Sequence, residues 1–196
     1  GCYSGQTATG GNNTAIGHSS LNDLTSGTNN VGLGEEAGRG SSPSGSITSQ
    51  SNIIVLGNNS TTDLYCADTS ISSSDGRDEA DVENFTTGLS FVNQMRPVTY
   101  RWDKRSWYAG NNPTSQDILD AVPDGTYKKT KQNVGFLAQE IETLEKEIGF
   151  ATSKDNQLFC NTNEDDTAMG LKYERLVPIL VNAIQELSTK NEALLA

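Results

Sequence analysis

Ile71-Ser-Ser-Ser-Asp-Gly-Arg-Asp-Glu-Ala-Asp-Val82 is the stretch at which the character of the sequence changes. Before it the chain is rich in Gly, Asn, Ser and Thr and repeats itself. After it come aromatic residues, Pro and helical periodicity. Three serines followed by alternating charges make the stretch a candidate processing site. The alternative is an inter-domain linker, which small and polar residues also suit.

One short motif recurs upstream of this stretch. Asn12-Asn-Thr-Ala-Ile-Gly17 returns as Asn29-Asn-Val-Gly-Leu-Gly34, and Asn52-Ile-Ile-Val-Leu-Gly57 is a degenerate third copy. Asn and Gly tolerate positive φ, so each copy is predicted to be a short strand that ends in a tight turn. Ile16 and Leu33 are expected to point inward. Because one aliphatic side chain per coil cannot fill a monomeric core, three chains around an axis would pool theirs.

Composition and charge exclude several classes of protein. Only 34% of the 196 residues are hydrophobic, below the ~45–50% usual in globular domains, a norm that also counts Gly. Either oligomerisation or a repeat that needs little core per residue would explain this low fraction. With 25 acidic residues against 14 basic ones, the net charge is −11, which argues against binding to nucleic acid or an anionic membrane. No apolar run approaches the roughly 18 residues of a membrane-spanning helix.

The cysteines and the histidine predict neither a metal site nor a cofactor. Cys2, Cys66 and Cys160 are odd in number and lack CxxC spacing, so we expect unpaired or packed thiols. His18 alone cannot form a His-based metal cluster or a Ser-His-Asp triad. Because Gly1 starts within Gly-rich sequence, the chain is expected to be the C-terminal piece of a longer protein.

Residue spacing downstream of residue 82 predicts a mixture of helices and strands. Pro97 should end the first helix. The predicted segments are, in order, a helix over residues 81–95, a strand over 98–102, one or two helical turns over 117–122, a strand that runs into a helix from 133 through Ile148, a hairpin over 150–160 and an acidic loop over 161–167.

The last segment, residues 172–196, has the clearest helical pattern. Alternating a and d positions of a heptad are occupied by Val177, Leu180, Ile184, Leu187, Asn191 and Leu194. A polar Asn at an a position fixes the register of a coiled coil at some loss of stability. The pattern predicts a parallel coiled coil, and the alternative is a helix packed on its own domain. The register supports self-association without choosing between dimer and trimer.

Four stretches follow one another in a specific order downstream of residue 73. They are Ser74-Asp-Gly-Arg-Asp78, Met95-Arg-Pro-Val-Thr-Tyr-Arg-Trp102, Gly135-Phe-Leu-Ala-Gln-Glu140 and Tyr173-Glu-Arg-Leu-Val-Pro-Ile-Leu-Val-Asn-Ala-Ile-Gln-Glu-Leu187. Together they resemble the C-terminal intramolecular chaperone domain of phage tail spikes and fibres, of the endosialidase type. The second stretch is also similar to cyanophage fibre proteins. The upstream repeats resemble the head repeats of trimeric bacterial adhesins and the stalk repeats of phage tail fibres.

The resemblance implies an α+β chain. Residues 1–71 would form a trimeric β-rich stalk repeat, and residues 72–196 a mixed α/β chaperone domain that ends in the coiled-coil helix over 172–196. It implies a homotrimer whose chaperone domain helps the upstream stalk to assemble. It also implies a place in the virion tail fibre, assembled in the host cytoplasm, with the chaperone domain released afterwards by autoproteolysis.

Autoproteolysis in that family uses a serine–lysine dyad with the motif Ser-Asp-x-Arg-x-Lys, and the cut falls just before the serine. The motif makes Ser74 the nucleophile and Ser73–Ser74 the scissile bond, and Asp75 and Arg77 match it. Glu79 stands where the lysine is expected. Glutamate ordinarily titrates near ~4.3 against ~10.4 for lysine, so it is a weak base, and its charge opposes an oxyanion. We therefore predict slow or absent cleavage by this serine peptidase relative.

Two alternatives remain. The first is a permanently retained structural or receptor-binding fibre tip, which contacts a host cell-surface glycan or receptor without a proteolytic step. The second is an enzyme that acts on external substrates, such as a glycosidase that pairs Glu140 with Glu142 or Asp165 with Asp166. Such acidic pairs are mostly solvated faces of a protein.

Overall fold

The computed structural model describes residues 1–66, 73–111 and 113–195. The strands are β1 Thr14–Ile16, β2 Val31–Leu33, β3 Ile54–Leu56, β4 Val98–Tyr100, β5 Asn133–Gly135, β6 Cys160–Thr162 and β7 Met169–Leu171. The α-helices are α1 Leu89–Gln94, α2 Ser115–Asp120, α3 Ala138–Glu147 and α4 Val177–Leu195. Short 3₁₀ turns lie at Arg105–Trp107, Lys154–Asn156 and Tyr173–Leu176. This is a mixed α/β chain with a C-terminal helix, as predicted.

The chain divides into two compact units. The first, called the repeat unit below, comprises Gly1–Thr62, Pro97–Gly135 and Asn161–Gly170. The second, called the helical unit, comprises the described residues of Asp63–Arg96, Phe136–Cys160 and Leu171–Ala196. None of the helices in the described ranges has the length and apolar character needed to cross a membrane.

Strands β1, β2 and β3 lie side by side in parallel, one from each copy of the motif. Their register pairs equivalent residues, so that Ile16 lies beside Leu33 and Leu33 beside Leu56. Positive φ angles occur at the start and end of every copy, at Asn12, Gly17, Asn29, Gly34, Asn52 and Gly57. The prediction of short strands that end in tight turns is confirmed.

The prediction that Ile16 and Leu33 point inward is wrong within a single chain. Ile16 is 61% exposed and Leu33 is 38% exposed. The inner face of each strand instead carries its middle residue, because successive side chains of a strand alternate between faces. At Gly32 a Cβ atom would lie 2.7 Å from Leu21 Cγ. The core is filled from the turns as well as the strands, by Leu21, Leu24, Ala37, Ile47 and Val55.

The rest of the repeat unit contains β4 and β5, which pair antiparallel with Val98 opposite Gly135. Strand β4 ends at Tyr100, two residues before the predicted end. Helix α2 begins two residues before its predicted start, because Thr114 and Asp117 form a capping box that satisfies the first free backbone N–H groups.

The helical unit packs α1, α3 and α4 around one apolar cluster. Its buried members are Phe91, Ile141, Phe159, Cys160, Leu176 and Ile179. Helix α3 follows β5 as predicted. Helix α1 is much shorter than the predicted segment 81–95, because Asn182 Nδ2 donates to the carbonyls of Phe85 at 2.7 Å and Thr87 at 3.0 Å. Those carbonyls are therefore held by α4, and α1 begins only after Gly88.

The hairpin predicted over residues 150–160 is not formed. The two strands that pair are β6 and β7, and they flank the acidic segment instead. The carboxylate of Glu145 accepts the backbone N–H groups of Phe159 at 3.2 Å and Cys160 at 3.1 Å, and also that of Leu158. Three consecutive N–H groups that converge on one carboxylate cannot alternate sides as a strand ladder requires.

Helix α4 buries one side and exposes the neighbouring one. Ile179 and Ala183 are buried in the helical unit, as is Leu176 just before the helix. The side chains at the predicted a and d positions are all exposed: Val177, Leu180, Ile184, Leu187, Asn191 and Leu194. The predicted helix is confirmed, and both a packed face and a free heptad face are present on it.

Candidate functional site

Residues 74–79 form a tight turn. The backbone N–H of Asp78 donates to the carbonyl of Asp75 at 2.8 Å. The carboxylate of Asp75 accepts from the backbone N–H of Arg77 at 3.1 Å and from its Nε at 2.9 Å. Hydrogen bonds from the Arg77 side chain and backbone hold the pKa of Asp75 below its ordinary value. The two residues that match the family motif therefore brace the turn from within.

This turn brings Ser74 and Glu79 together. Ser74 Oγ donates to Glu79 Oε1 at 3.0 Å. Both residues are exposed, as is Ser73. The Ser73–Ser74 peptide bond thus lies on a surface that water and solutes can reach, with residue 79 within hydrogen-bond distance of the serine hydroxyl.

The chemistry open to this pair is restricted by the carboxylate. A serine nucleophile needs a base for its proton and donors for the oxyanion that forms on the attacked carbonyl. Glu79 accepts the hydrogen bond of Ser74 but is a weak base by residue type. Its negative charge opposes the oxyanion, and exposure to water weakens electrostatic assistance. The geometry holds the Ser74 hydroxyl against a carboxylate, which would leave a nucleophile at this position poorly activated.

Residues from three of the four family-like stretches are bonded to one another within the helical unit. Arg96, in the second stretch, forms a two-bond ion pair with Glu140 in the third, with Nε 3.2 Å from Oε2. Glu140 raises the pKa of the Arg96 guanidinium. The backbone N–H of Phe136, in the third stretch, donates to the hydroxyl of Tyr173 in the fourth at 3.2 Å. These four residues therefore link parts of the second, third and fourth stretches inside one unit.

Sequence reasoning missed two structurally important carboxylates, those of Glu145 and Glu186. Glu145 is fully buried, and Glu186 Oε1 accepts the backbone N–H of Leu89 at 3.1 Å, at the start of α1. The signal for Glu145 was available, because it lies four residues after the buried Ile141 on the apolar side of α3. An acidic residue on such a stripe indicates a buried acceptor.

The buried thiol of Cys160 belongs to the apolar cluster of the helical unit and lies near Glu145. Burial, followed by the nearby Glu145 charge, raises its pKa to about 12, so it stays protonated and is a poor nucleophile. Cys2, Cys66 and Cys160 are all free thiols.

The paired carboxylates considered for a glycosidase have structural partners. Glu140 pairs with Arg96, and Glu142 pairs with Lys146 at 2.9 Å. Asp165 accepts hydrogen bonds from the hydroxyls of Ser115 and Thr167, each at 2.7 Å. Within the described ranges, no group of three or more His, Cys, Asp or Glu side chains could hold a metal ion.

Comparison with protein families matches residues 74–150 to the family described as chaperone of endosialidase. The match begins at Ser74 and includes the turn, the Arg96–Glu140 pair and Glu145. No curated protein and no solved structure matches the chain significantly. This match confirms the predicted resemblance of residues 74–150 to an endosialidase-type chaperone domain.

Proposed function

We propose that this chain forms a homotrimer through its C-terminal part and thereby drives assembly of a β-rich phage tail-fibre stalk. In this proposal residues 1–71 are the stalk and residues 72–196 are the intramolecular chaperone. An interwoven stalk requires three chains to meet in register before burial offsets their lost entropy. A domain that trimerises first raises the local concentration of the attached stalk ends.

The heptad face of α4 carries this proposal. Ile184 is 66% exposed and Leu187 is 45% exposed, while Ile179 and Ala183 on the adjacent side are buried. Exposure of a row of apolar side chains at heptad spacing is unfavourable in water, and a second helix that covers the row removes this cost. A second and a third copy of the same helix would cover the face, with Asn191 selecting the register.

The outer face of the repeat sheet supports the same assembly. Ile16, Leu33 and Leu56 lie beside one another on neighbouring strands and are 61%, 38% and 45% exposed. A row of aliphatic side chains across parallel strands gives each chain an apolar ladder that two other copies can bury. The expectation that three chains pool their aliphatic residues is retained here as a proposal about the trimer.

Residues 1–73 expressed alone should fail to form a well-ordered trimer. They should stay monomeric or aggregate, because the repeats meet no partner that holds three chains together. Analytical ultracentrifugation of this fragment beside the full-length chain measures the difference. A well-formed trimer from residues 1–73 alone would contradict the need for the chaperone.

We propose that cleavage at Ser73–Ser74 is slow or absent because Glu79 occupies the lysine position. Glu79→Lys should restore cleavage, since a lysine amine can take the serine proton when its pKa is lowered. The measurement is mass spectrometry of the purified chain, with a new N-terminal fragment that ends at Ser73. Cleavage should disappear again when Ser74→Ala is added.

Glu79→Gln is the matched control for this prediction. It removes the negative charge without supplying a base, so it should leave the chain intact. Efficient cleavage of the unaltered chain, or cleavage of the Glu79→Lys variant that survives Ser74→Ala, would contradict the dyad assignment.

The turn at residues 74–79 also favours a second candidate function. With Glu79 bonded to Ser74, the chain suits a permanently retained fibre tip that contacts a host cell-surface glycan or receptor. Both candidates locate the protein in the virion tail fibre. Virions that contain the full-length C-terminal part would decide for the retained tip, and virions that lack residues 74–196 would decide for release.

A further inference from the structure

We infer that residues 97–135 and 161–170, which follow the Ser73–Ser74 bond, cap the last coil of the repeats and keep holding it after that bond is cut. The last coil is residues 40–62, and the two downstream segments together are called the cap. Both belong to the repeat unit. The inference rests on the proposed function only in taking Ser73–Ser74 as the processing bond.

Asn59 is the first point of attachment. Lys104 Nζ donates to Asn59 Oδ1 at 3.1 Å and to its carbonyl at 3.4 Å. Asn59 Nδ2 donates to Ser106 Oγ at 2.9 Å, and its backbone N–H donates to the carbonyl of Ser41 at 2.8 Å. One side chain of the last coil therefore bonds the cap through both ends of its amide, and its backbone is held by its own coil.

The ammonium group of Lys104 is also positioned by two tryptophan rings of the cap. Its Nζ lies 4.9 Å from the ring centre of Trp102 and 5.8 Å from that of Trp107. Burial lowers the pKa of Lys104. A partly buried ammonium needs acceptors, and a hydrogen bond from a charged donor is stronger than one between neutral groups. The Asn59 oxygens supply those acceptors.

The loop at Gly45 is the second point of attachment. A Cβ atom on Gly45 would lie 2.6 Å from atoms of both Asn163 and Asp165, so the cap contacts the bare backbone. The Asp165 carboxylate lies against the backbone of this loop, and the backbone of Ser46 helps to lower its pKa. Burial raises the pKa of Asp165, but its hydrogen bonds from Thr167, Ser115 and the backbone outweigh that effect and leave the pKa lowered. The ionised carboxylate thus binds the loop.

Ile118 supplies the apolar part of the contact. This α2 side chain is only 3% exposed. A Cβ atom on Gly40 would lie 3.3 Å from Ile118 Cδ1 and 3.1 Å from the carbonyl of Pro113. Stacked repeats need a terminal element that covers the last core layer and the last strand edge. The cap contacts the last coil in this way at Gly40, and it comes from the far side of the processing bond.

The consequence is that hydrolysis of Ser73–Ser74 does not by itself separate the two products. The last coil would remain bound to the cap through Asn59, the Gly45 loop and Ile118. Separation requires the repeat unit to open. The upstream and downstream pieces therefore behave as complementary fragments of one folded unit.

The test replaces residues 67–72 with the recognition sequence of a specific protease in the full-length chain. The purified protein is cut and passed over a size-exclusion column, and each fraction is examined on a denaturing gel. Both fragments should co-elute at the position of the uncut protein. Elution of the N-terminal fragment in a separate peak would overturn the inference.

Two variants locate the contact. Ile118→Ala should increase the released fraction at least about tenfold, because it opens a void in a buried contact. Leu119→Ala, the adjacent and 37% exposed residue, should behave as the parent. Fragments that stay together after Ile118→Ala, Lys104→Met and Asp165→Asn are combined would place the attachment elsewhere and so also overturn the inference.

The same column with light scattering separates this inference from the proposed trimer. A trimer that loses its N-terminal fragments after the cut contradicts the cap alone. A monomer whose two fragments stay together contradicts the trimer alone.

Discussion

Replacing Ile184 and Leu187 with glutamate should convert the protein from a trimer to a monomer. Both side chains lie on the exposed heptad face of α4 and away from the buried Ile179 and Ala183. In the proposed trimer they would be covered by the same helix of two other chains. Burial of an unpaired carboxylate in an apolar contact is opposed by several kcal/mol, and three chains would bring six such groups together.

The mass of the Ile184→Glu, Leu187→Glu variant is measured by light scattering at micromolar concentration, with circular dichroism as a check on helix content. The matched control adds the same charges elsewhere on α4, as Gln185→Glu with Thr189→Glu. These two exposed positions lie outside the a and d stripe and should leave the trimer intact. An unchanged mass for the first variant, or equal dissociation of both, would show that the stripe is not the interface.

Glu145→Ala should destabilise the helical unit by at least about 3 kcal/mol. The side chain is fully buried and accepts the backbone N–H groups of three consecutive residues, Leu158 to Cys160. A buried donor left without an acceptor is destabilising by about 1–3 kcal/mol. Glu145→Gln keeps one acceptor oxygen and should lie between the parent and the alanine variant. The measurement is the midpoint of urea unfolding.

Glu147→Ala is the control for this prediction. Glu147 is an exposed residue of the same helix, so its removal should change the free energy of unfolding by no more than about 0.5 kcal/mol. Similar losses for Glu145→Ala and Glu147→Ala would refute the role assigned to the buried carboxylate.

The repeats show which features of the fold can be predicted from residues that are neighbours in the sequence. Asn and Gly at both ends of each motif copy predict positive φ, and the structure has it at all six positions. The direction of Ile16 and Leu33 could not be predicted in the same way. The inner face of their strands is set by Leu21, which comes from a turn and packs against the bare backbone of Gly32. No periodicity within the strand reveals that packing.

In the helical unit, the predicted elements were wrong where a side chain distant in sequence forms hydrogen bonds with the backbone groups of the predicted helix or strand. Asn182 holds the carbonyls that would otherwise extend α1 backward, and Glu145 holds the N–H groups that would otherwise form a hairpin strand. Each partner is distant along the sequence from the backbone it binds. Propensity and period describe only neighbours along the chain, so tertiary contacts override them.

The candidate site was partly accessible from the sequence. Ser74 and Glu79 are five residues apart, and the residues between them, among them Asp75, Gly76 and Arg77, suit a turn. The structure brings Ser74 Oγ to 3.0 Å from Glu79 Oε1. The Arg96–Glu140 pair was not accessible, although both residues lie in stretches that the sequence singled out. Pairing them requires knowing that α3 packs beside the end of α1 in the helical unit.

The most direct test of the central proposal is the solution mass of the intact chain at micromolar concentration. Homotrimerisation through α4 predicts a mass three times the 21.0 kDa of one chain, and that mass should persist on dilution through the low micromolar range. A mass of one or two chains under these conditions would contradict the proposal.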